Sequence, residues 1–535
     1  MDTTSASNPM QRLFRSTITS SDQPIVTELL SNIEKDLASL EKELEGRRQE
    51  MDKIRAAIVA LENKRSGLKK KFARCRALLS PIHRMPPEIL RTIFGFVCEG
   101  TYWLETSSSH PVVIVSKICG RWRDIALGMA SLWASICFQP SHWTGKFHRL
   151  ERLMHLFLER SHTSPLKLIL DFGDFDLHSD FIPAMDALVH HSGRWRTVEF
   201  VGVKDEVIQH PVFHPIKGRL PILSSLKVSR EPHDIPAAME FNCDLFGDCP
   251  ALSSLELKPN SSLTVGCPLP WGQIRSLTLF DSYARPGLLF LTLVNNIEQL
   301  KLDCVGGVHH PGAQHSEEHI VSNIKQLTVM ASECSEVTDV MNHITARRLS
   351  SLHISGCDES PSTTWKWWEG NCVTDFLERS ACTLTSLSLQ WVPISDTQII
   401  HLLQNIPTLS KLHIEEYHRG VERKNRIVTK SFLDRLNFDH EQTTALYLPR
   451  LSELSIVVHS SDLDRQAILR AVTSRWVPDT VYAAEVGVDC INSVGVVILT
   501  GATTDCLGET LSAELRWMAV AGAQVSVSTL VVGDT

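Results

Sequence analysis

The feature that most limits what this chain can fold into is a short string that recurs ten times. Aligned on one leucine it reads SSLKV (224–228), SSLEL (253–257), RSLTL (275–279), EQLKL (298–302), KQLTV (325–329), SSLHI (350–354), TSLSL (385–389), SKLHI (410–414) and SELSI (452–456). A tenth copy, RTVEF (196–200), puts valine in the leucine's place. The aligned positions are Val198, Leu226, Leu255, Leu277, Leu300, Leu327, Leu352, Leu387, Leu412 and Leu454. The residues that follow them are Glu199, Lys227, Glu256, Thr278, Lys301, Thr328, His353, Ser388, His413 and Ser455, all polar, although only the leucine defines the alignment. In a chain with 43% hydrophobic residues, ten independent polar draws would occur about 0.4% of the time. The alternation is therefore that of strands with one buried and one wet face.

Most copies stand 22 to 29 residues apart, with longer steps of 35 into Leu387 and 42 into Leu454. A period in the twenties is the signature of leucine-rich repeats, in which each coil holds one short strand and a helical or irregular return. Helix-like runs between strings, such as Gln398 to Leu403 and Val373 to Leu377, suit those returns. Most copies lack the Asn that closes the strand turn in standard forms, and Cys357 fits the cysteine-bearing variant. A solenoid over 160–480 with a parallel sheet is the expectation; a generic α/β domain is the alternative. Residues 481–535 hold a strand-like run (Val496 to Leu499) and a helix-like run (Leu511 to Ala519), expected to cap the open end. The insertion before Leu387 carries Trp365, Trp367 and Trp368, which would form an interaction patch if exposed or pack on the solenoid's back.

At 535 residues the chain exceeds one compact core, and two or three units are expected. Residues 1–23 read as disordered. Residues 24–79 read as one long helix, with Ile33, Leu37, Leu40, Leu44, Met51, Ile54, Ile58, Leu61, Leu68 and Phe72 in alternating steps of four and three. That is a heptad seam. Arg47 and Arg65 interrupt it, and Gly46 and Gly67 beside them each cost roughly 1 kcal/mol against Ala. Homodimerisation through residues 25–79 and packing on the chain itself both remain open. The basic run Lys69, Lys70, Lys71, Arg74, Arg76 reads as a solvated helix face.

Between these parts, Ser80-Pro81 ends the long helix and Pro86-Pro87 opens another. Ile89, Leu90, Ile93 and Phe94 follow at helical spacing, then a polar loop (106–110). A second helix is expected to carry Ile118, Cys119, Trp122, Ile125 and Ala126, with Leu132, Trp133 and Ile136 as a last apolar cluster. The joint pattern of Met85-Pro86, Glu88-Ile89-Leu90, Ile93-Phe94, Cys119 before Trp122-Arg123, and Leu132-Trp133 resembles an F-box, in the variant common in mushroom-forming fungi. Ala130-Ser131 stands where that family often has a Pro before the Leu-Trp. The resemblance covers about 50 residues, within 80–138.

That resemblance implies a non-catalytic substrate receptor of an SCF-type cullin–RING ubiquitin ligase. It would dock a Skp-type adaptor, and through it a cullin, by Pro86, Pro87, Ile89, Leu90, Ile93, Trp122 and Trp133. The repeats would hold an unknown protein substrate on their wet face, whose candidate contacts are Phe280, Met330, His353, His413 and Val457. The fold class expected is thus a multi-unit α+β chain: long helix, small all-α F-box, then an α/β leucine-rich-repeat-like solenoid. An interaction scaffold dimerising through the first helix, independent of any ligase, is the other reading.

Other chemistry finds little support. The net charge of −8 points away from nucleic acid as partner. Fourteen scattered cysteines without a CxxC pair read as reduced thiols in an intracellular protein, in cytoplasm or nucleus. No apolar run reaches the roughly 18 residues of a membrane span. His309, His310, His315 and His319 crowd one loop, but HSEEH lacks the glutamate of the zinc-protease motif, and no metal or cofactor is expected. Cys119 reads as a buried thiol and not a nucleophile.

Overall fold

The computed structural model describes residues 19–531, apart from 105–109, 141–142, 144–145, 174–178, 204, 230–242, 258–267, 281–287, 289, 306–318, 357–367, 369–370, 417–425, 440–445 and 501–506. It forms two compact units, residues 1–90 and 91–535. In the first, Thr19 to Asp22 make a turn closed by the Asp22 amide on the Thr19 carbonyl at 3.0 Å. The Asp22 carboxylate accepts the Thr19 amide and hydroxyl. The expectation of disorder through residue 23 therefore fails for 19–22; residues 1–18 lie outside the described part. Helix α1 (Gln23–Leu78) opens with Pro in its first turn and runs 56 residues, about 84 Å at 1.5 Å per residue. Gly46 and Gly67 do not interrupt it, and none of its residues is buried.

Helix α2 (Pro87–Cys98) crosses the division between the units. Two short helices follow, α3 (Pro111–Ile118) and α4 (Gly120–Leu127). The single helix expected through this stretch is corrected: Cys119 is extended (φ −156°, ψ 169°), and its Sγ accepts the Trp122 amide at 3.4 Å as a cap to α4. Leu132 and Trp133 lie in a 3₁₀ turn (Ala130–Trp133), and the chain then enters strand β1 (Ser135–Phe138). The segment read as all-helical to residue 138 thus ends in the first strand of the sheet.

Thirteen more strands join β1 in one parallel sheet, in chain order: β2 (Leu166–Asp171), β3 (Trp195–Val201), β4 (Ser225–Val228), β5 (Ser254–Leu257), β6 (Ser276–Phe280), β7 (Gln299–Val305), β9 (Gln326–Ala331), β11 (Ser351–Gly356), β12 (Ser386–Gln390), β13 (Lys411–Glu415), β14 (Glu453–His459), β15 (Ser493–Thr500) and β16 (Gln524–Val531). A separate pair, β8 (Ile320–Ser322) and β10 (Ile344–Ala346), is also parallel. All ten strings are strands of the large sheet. Their leucine positions are Cα partners in one unbroken row, which Ile136 and Leu168 extend at one end and Val494 and Val525 at the other. From Ile136 to Val494 every member of this row is buried.

The backbone just before each strand is locked by a second regularity. The carbonyls of Ser224, Ser253, Arg275, Glu298, Lys325, Ser350, Thr385, Ser410 and Ser452 each accept two successive amides of the next coil, at 2.8–3.1 Å. Where the ladder residue is Ser or Thr, as at 253, 350, 385, 410 and 452, its hydroxyl donates to the same preceding carbonyl. Both groups of the turn are thereby satisfied inside the stack, which a buried backbone requires.

Return helices include α5 (Phe147–Arg160), α6 (Ile182–His190), α7 (Cys334–His343), α8 (Cys372–Ser380), α9 (Asp396–Gln404), α10 (Lys430–Leu436), α11 (Arg465–Ser474), α12 (Thr480–Val486) and α13 (Leu507–Val520). Arginines from following coils bind carbonyls that helix ends leave free. Arg194 donates to the carbonyls of Leu158 and Ser164, beside the end of α5. Arg379 reaches Met341 and Ile344 at the end of α7. Arg475, 2% exposed, donates to Leu436 (2.6 Å), Leu448 (2.8 Å) and Tyr447 (2.6 Å). In the C-terminal part, expected as a strand and helix cap, β15 and β16 extend the sheet and α13 lies between them in sequence. The last strand leaves Leu530 and Val531 exposed.

Losing the Arg475 side chain would strand three carbonyls in a buried site, each costing about 1–3 kcal/mol. Arg475→Met is therefore expected to destabilise the chain by about 3 kcal/mol or more. Arg450→Met, whose ion pair with Asp489 is exposed on both sides, is expected to cost under about 1 kcal/mol. Thermal unfolding of the two variants checks this, and equal melting temperatures would contradict it.

Candidate functional site

Two surfaces offer recognition chemistry. The first is helical. At 100° per residue, the apolar residues of α2 spread over an arc of about 160°. Only one edge of it, Leu90 and Phe94, is buried; Ile89 (49% exposed), Phe96 (70%) and Val97 are exposed and Ile93 is half-buried. Phe94 packs on the Trp122 ring at 4.9 Å between centroids. Helix α3 adds Ile114 and Ile118, four apart and both exposed, while its Val112 and Val115 are buried. This segment thus carries more large apolar side chains than its own packing consumes.

Its interior is tight. The Trp133 indole N–H donates to the Ala126 carbonyl at 2.9 Å, Arg160 lies 4.4 Å over the ring, and Phe157 meets its edge. Leu90 and Trp133, expected as adaptor contacts, are both completely buried. Neither is part of an exposed surface. Pro86 and Pro87 are exposed, and Trp122 is half-buried. Residues the sequence reading missed are Phe96, Val97, Ile114 and Ile118. The signal was present, since 89, 93, 96 and 97 share one helical stripe.

His110 sits at the N-terminal end of α3, 9% exposed, against the rings of Phe157 (4.9 Å) and Tyr102 (5.8 Å). Its Nδ1 has no partner among the described residues. Burial holds its pKa down to about 4, because a charged imidazole there would lose its hydration.

The second surface is the polar face of the sheet. The residue after each ladder leucine and, among the described residues, the one two further on line it, and the former are half-buried save Thr278, which is buried. Toward the N-terminal end Lys227 pairs with Glu199 at 2.7 Å and Lys301 with Asp303 at 2.9 Å. Both ammonium groups lie over the Phe280 ring, at 5.5 and 6.0 Å from its centroid. Further along, His413 Nδ1 contacts Ser455 Oγ at 2.9 Å and its Nε2 contacts the Gln390 amide nitrogen at 3.1 Å. Glu415 accepts the Trp391 indole N–H at 3.1 Å. His353 shares the row with Ser388 and His413. Burial first, then the charges of His413 and Lys301, lower its pKa, against Glu415, which raises it.

Of the expected substrate contacts, Phe280, Met330, His353 and His413 lie half-buried on this face. Val457 occupies the same row between Glu415 and Val497 but is only 9% exposed, so it is a covered position and not an accessible one. Trp391 and Gln390 on this face are not among the expected contacts. Trp368 is buried, and its carbonyl accepts the Gln398 side-chain amide at 3.2 Å. Trp365, Trp367 and Cys357, like His309, His310 and His315, lie outside the described residues. Among the described residues no group of three or more His, Cys, Asp or Glu could hold a metal ion. No described helix is long and apolar enough to cross a membrane.

No protein-family model matches the chain, and no curated protein does. Among solved structures it is similar to an internalin from Listeria monocytogenes, at 13% identity over 72% of this chain and 82% of that one, with a TM-score of 0.25. The leucine-rich-repeat-like architecture rests on the strand register and the ladder of amides described above.

The unfolded chain would protonate His110 near pH 6.5 and the folded chain only near 4. Between those values the unfolded state binds more protons. His110's contribution is therefore whole above pH 6.5 and is lost as pH falls toward 4, by about 2 kcal/mol at pH 5. His110→Phe should flatten that dependence. Parallel melting-temperature profiles for wild type and variant from pH 7 to 5 would contradict the assignment.

Proposed function

We propose that the chain is the substrate-recognition subunit of an SCF-type cullin–RING ubiquitin ligase. The observation that carries this reading is the unspent apolar stripe on α2, Ile89, Ile93, Phe96 and Val97, inside the segment with the F-box-like pattern. With Pro86, Pro87 and Trp122, and with Ile114 and Ile118 of α3, it would dock a Skp-type adaptor. Four or five large side chains at about 1.5–3 kcal/mol each suffice for a specific complex after association costs. The polar sheet face would hold the substrate protein. Catalysis would then be by proximity, the receptor raising the local concentration of a substrate lysine near the charged conjugating enzyme; no residue of this chain need act as acid or base.

A second reading, a scaffold that dimerises through α1 without a ligase, draws on the absence of any buried residue in that helix. Co-expression with a Skp-type adaptor separates the two. Full-length wild type should retain the adaptor through affinity purification. Ile89→Asp/Phe96→Asp should lose it at least about tenfold with little change in melting temperature, since both side chains are exposed. Wild type that recovers no adaptor would sink the receptor reading.

A further inference from the structure

The largest unpartnered feature among the described residues is α1, and its sequence selects a partner and an orientation. Continued through the whole helix, the heptad positions are Val26, Leu30, Ile33, Leu37, Leu40, Leu44, Arg47, Met51, Ile54, Ile58, Leu61, Arg65, Leu68, Phe72, Cys75 and Leu79. Fourteen of these sixteen are apolar or cysteine, and none is buried. Charge is divided along the helix. Residues 23–50 hold seven acidic and four basic side chains, net −3; residues 51–78 hold two acidic and nine basic, net +7.

We infer that two copies of this chain pair through α1 as an antiparallel coiled coil, with residue i opposite residue 105 − i of the second copy. This register stacks Leu30 on Cys75, Ile33 on Phe72, Leu37 on Leu68, Leu44 on Leu61 and Met51 on Ile54, and it uses the full length of the seam. Each faulty position meets an apolar residue, Arg47 opposite Ile58 and Arg65 opposite Leu40, from which a long side chain can reach water. The flanking positions bring Asp36 to Lys71, Glu43 to Lys64 and Glu34 to Lys69, against two like-charge pairs, Glu41 with Glu62 and Arg48 with Arg55.

The parallel, in-register alternative is worse on both counts. It sets Arg47 against Arg47 and Arg65 against Arg65 inside the seam, where an unpaired like charge is most costly. Its flanks pair Glu43 with Arg48 and Glu50 with Arg55, but oppose Asp36 to Glu41, Lys64 to Lys69 and Lys71 to Arg76. The acidic half would lie on the acidic half, and the basic on the basic.

The inference goes beyond the adaptor reading and is tested without adaptor, so either can fail alone. Full-length protein at tens of micromolar should sediment as a dimer, and Leu44→Asp/Leu61→Asp as a monomer. That variant changes only exposed helix positions, so its melting temperature serves as the folding control. For orientation, Leu30→Cys should form an intermolecular disulfide with Cys75 under mild oxidation, identified by mass spectrometry of the linked peptides. The two Cys75 residues of an antiparallel pair lie about 68 Å apart along the axis and should not link to each other. A wild-type monomer, a double mutant that remains dimeric, or a Cys75–Cys75 disulfide would each overturn the inference.

Discussion

The structure depends on one constraint, the in-register burial of a single side-chain row beneath a parallel sheet. A strand of four or five residues cannot hold a leucine out of water alone; it can when the leucines of both neighbours flank it. The row from Ile136 to Val494 meets that condition at every member. Because side chains alternate with a period of two, a slip of one residue in any coil would put its leucine on the polar face and a Lys, Glu or His in the core. The paired amides on each preceding carbonyl prevent that slip, since they fix where each strand begins. Side-chain burial and backbone hydrogen bonding thus specify the same register, and coils of 22 to 42 residues can share it because only the strand and its first turn must repeat.

The ten central coils were legible in the sequence for that reason. The four at the ends were not legible as repeats, although Val496 to Leu499, inside β15, reads as a strand. The test applied to the strings was a polar residue after the leucine, and β1 and β2 carry Cys137 and Ile169 there. At β15 the position is Gly495 after Val494, and at β16 Ser526 follows Val525, a valine in the leucine's place as at Val198. Terminal coils face different surroundings, so their composition drifts while the geometry persists. The serine column was in plain view as the first letter of SSLKV, SSLEL, SSLHI, SKLHI and SELSI, yet its meaning needs the neighbouring coil's carbonyl, which no single string contains. The helical segment shows the opposite limit. Its apolar periodicity was clear, but periodicity cannot tell Leu90, which is buried, from Ile89 beside it, which is not.

One buried arginine and two half-buried ones answer the question raised by the missing Asn. A standard coil closes its turn with an asparagine side chain on backbone groups; here Ser and Thr hydroxyls take the turn before the strand, and Arg194, Arg379 and Arg475 take carbonyls where the return helices end. A guanidinium suits this work because it presents several donors in a rigid fork. Arg475 shows the electrostatic cost: burial lowers its pKa to about 10. Three carbonyl dipoles replace the water it gives up. Such a residue is spaced from its acceptors by roughly one coil, 27 to 39 residues for Arg475, and so it ties consecutive repeats together in a way no local pattern reveals.

The two candidate surfaces differ in kind, and the difference bears on how they would bind. The stripe on α2 is apolar and demands little of a partner beyond a matching groove, which suits a constant partner. The sheet face is polar, and these groups on it are already engaged: Lys227 with Glu199, Lys301 with Asp303, His413 with Ser455 and Gln390. A ligand there must replace those interactions or bridge them, because stripping a half-buried lysine of its carboxylate without offering another costs more than a weak contact returns. Poorly matched partners would thereby be rejected, and a partner that presents acidic and aromatic groups at the strand spacing of about 4.8 Å would regain what it displaced. On the proposed reading, one surface would accept on shape alone and the other would refuse on charge, the division of labour a two-ended connector needs.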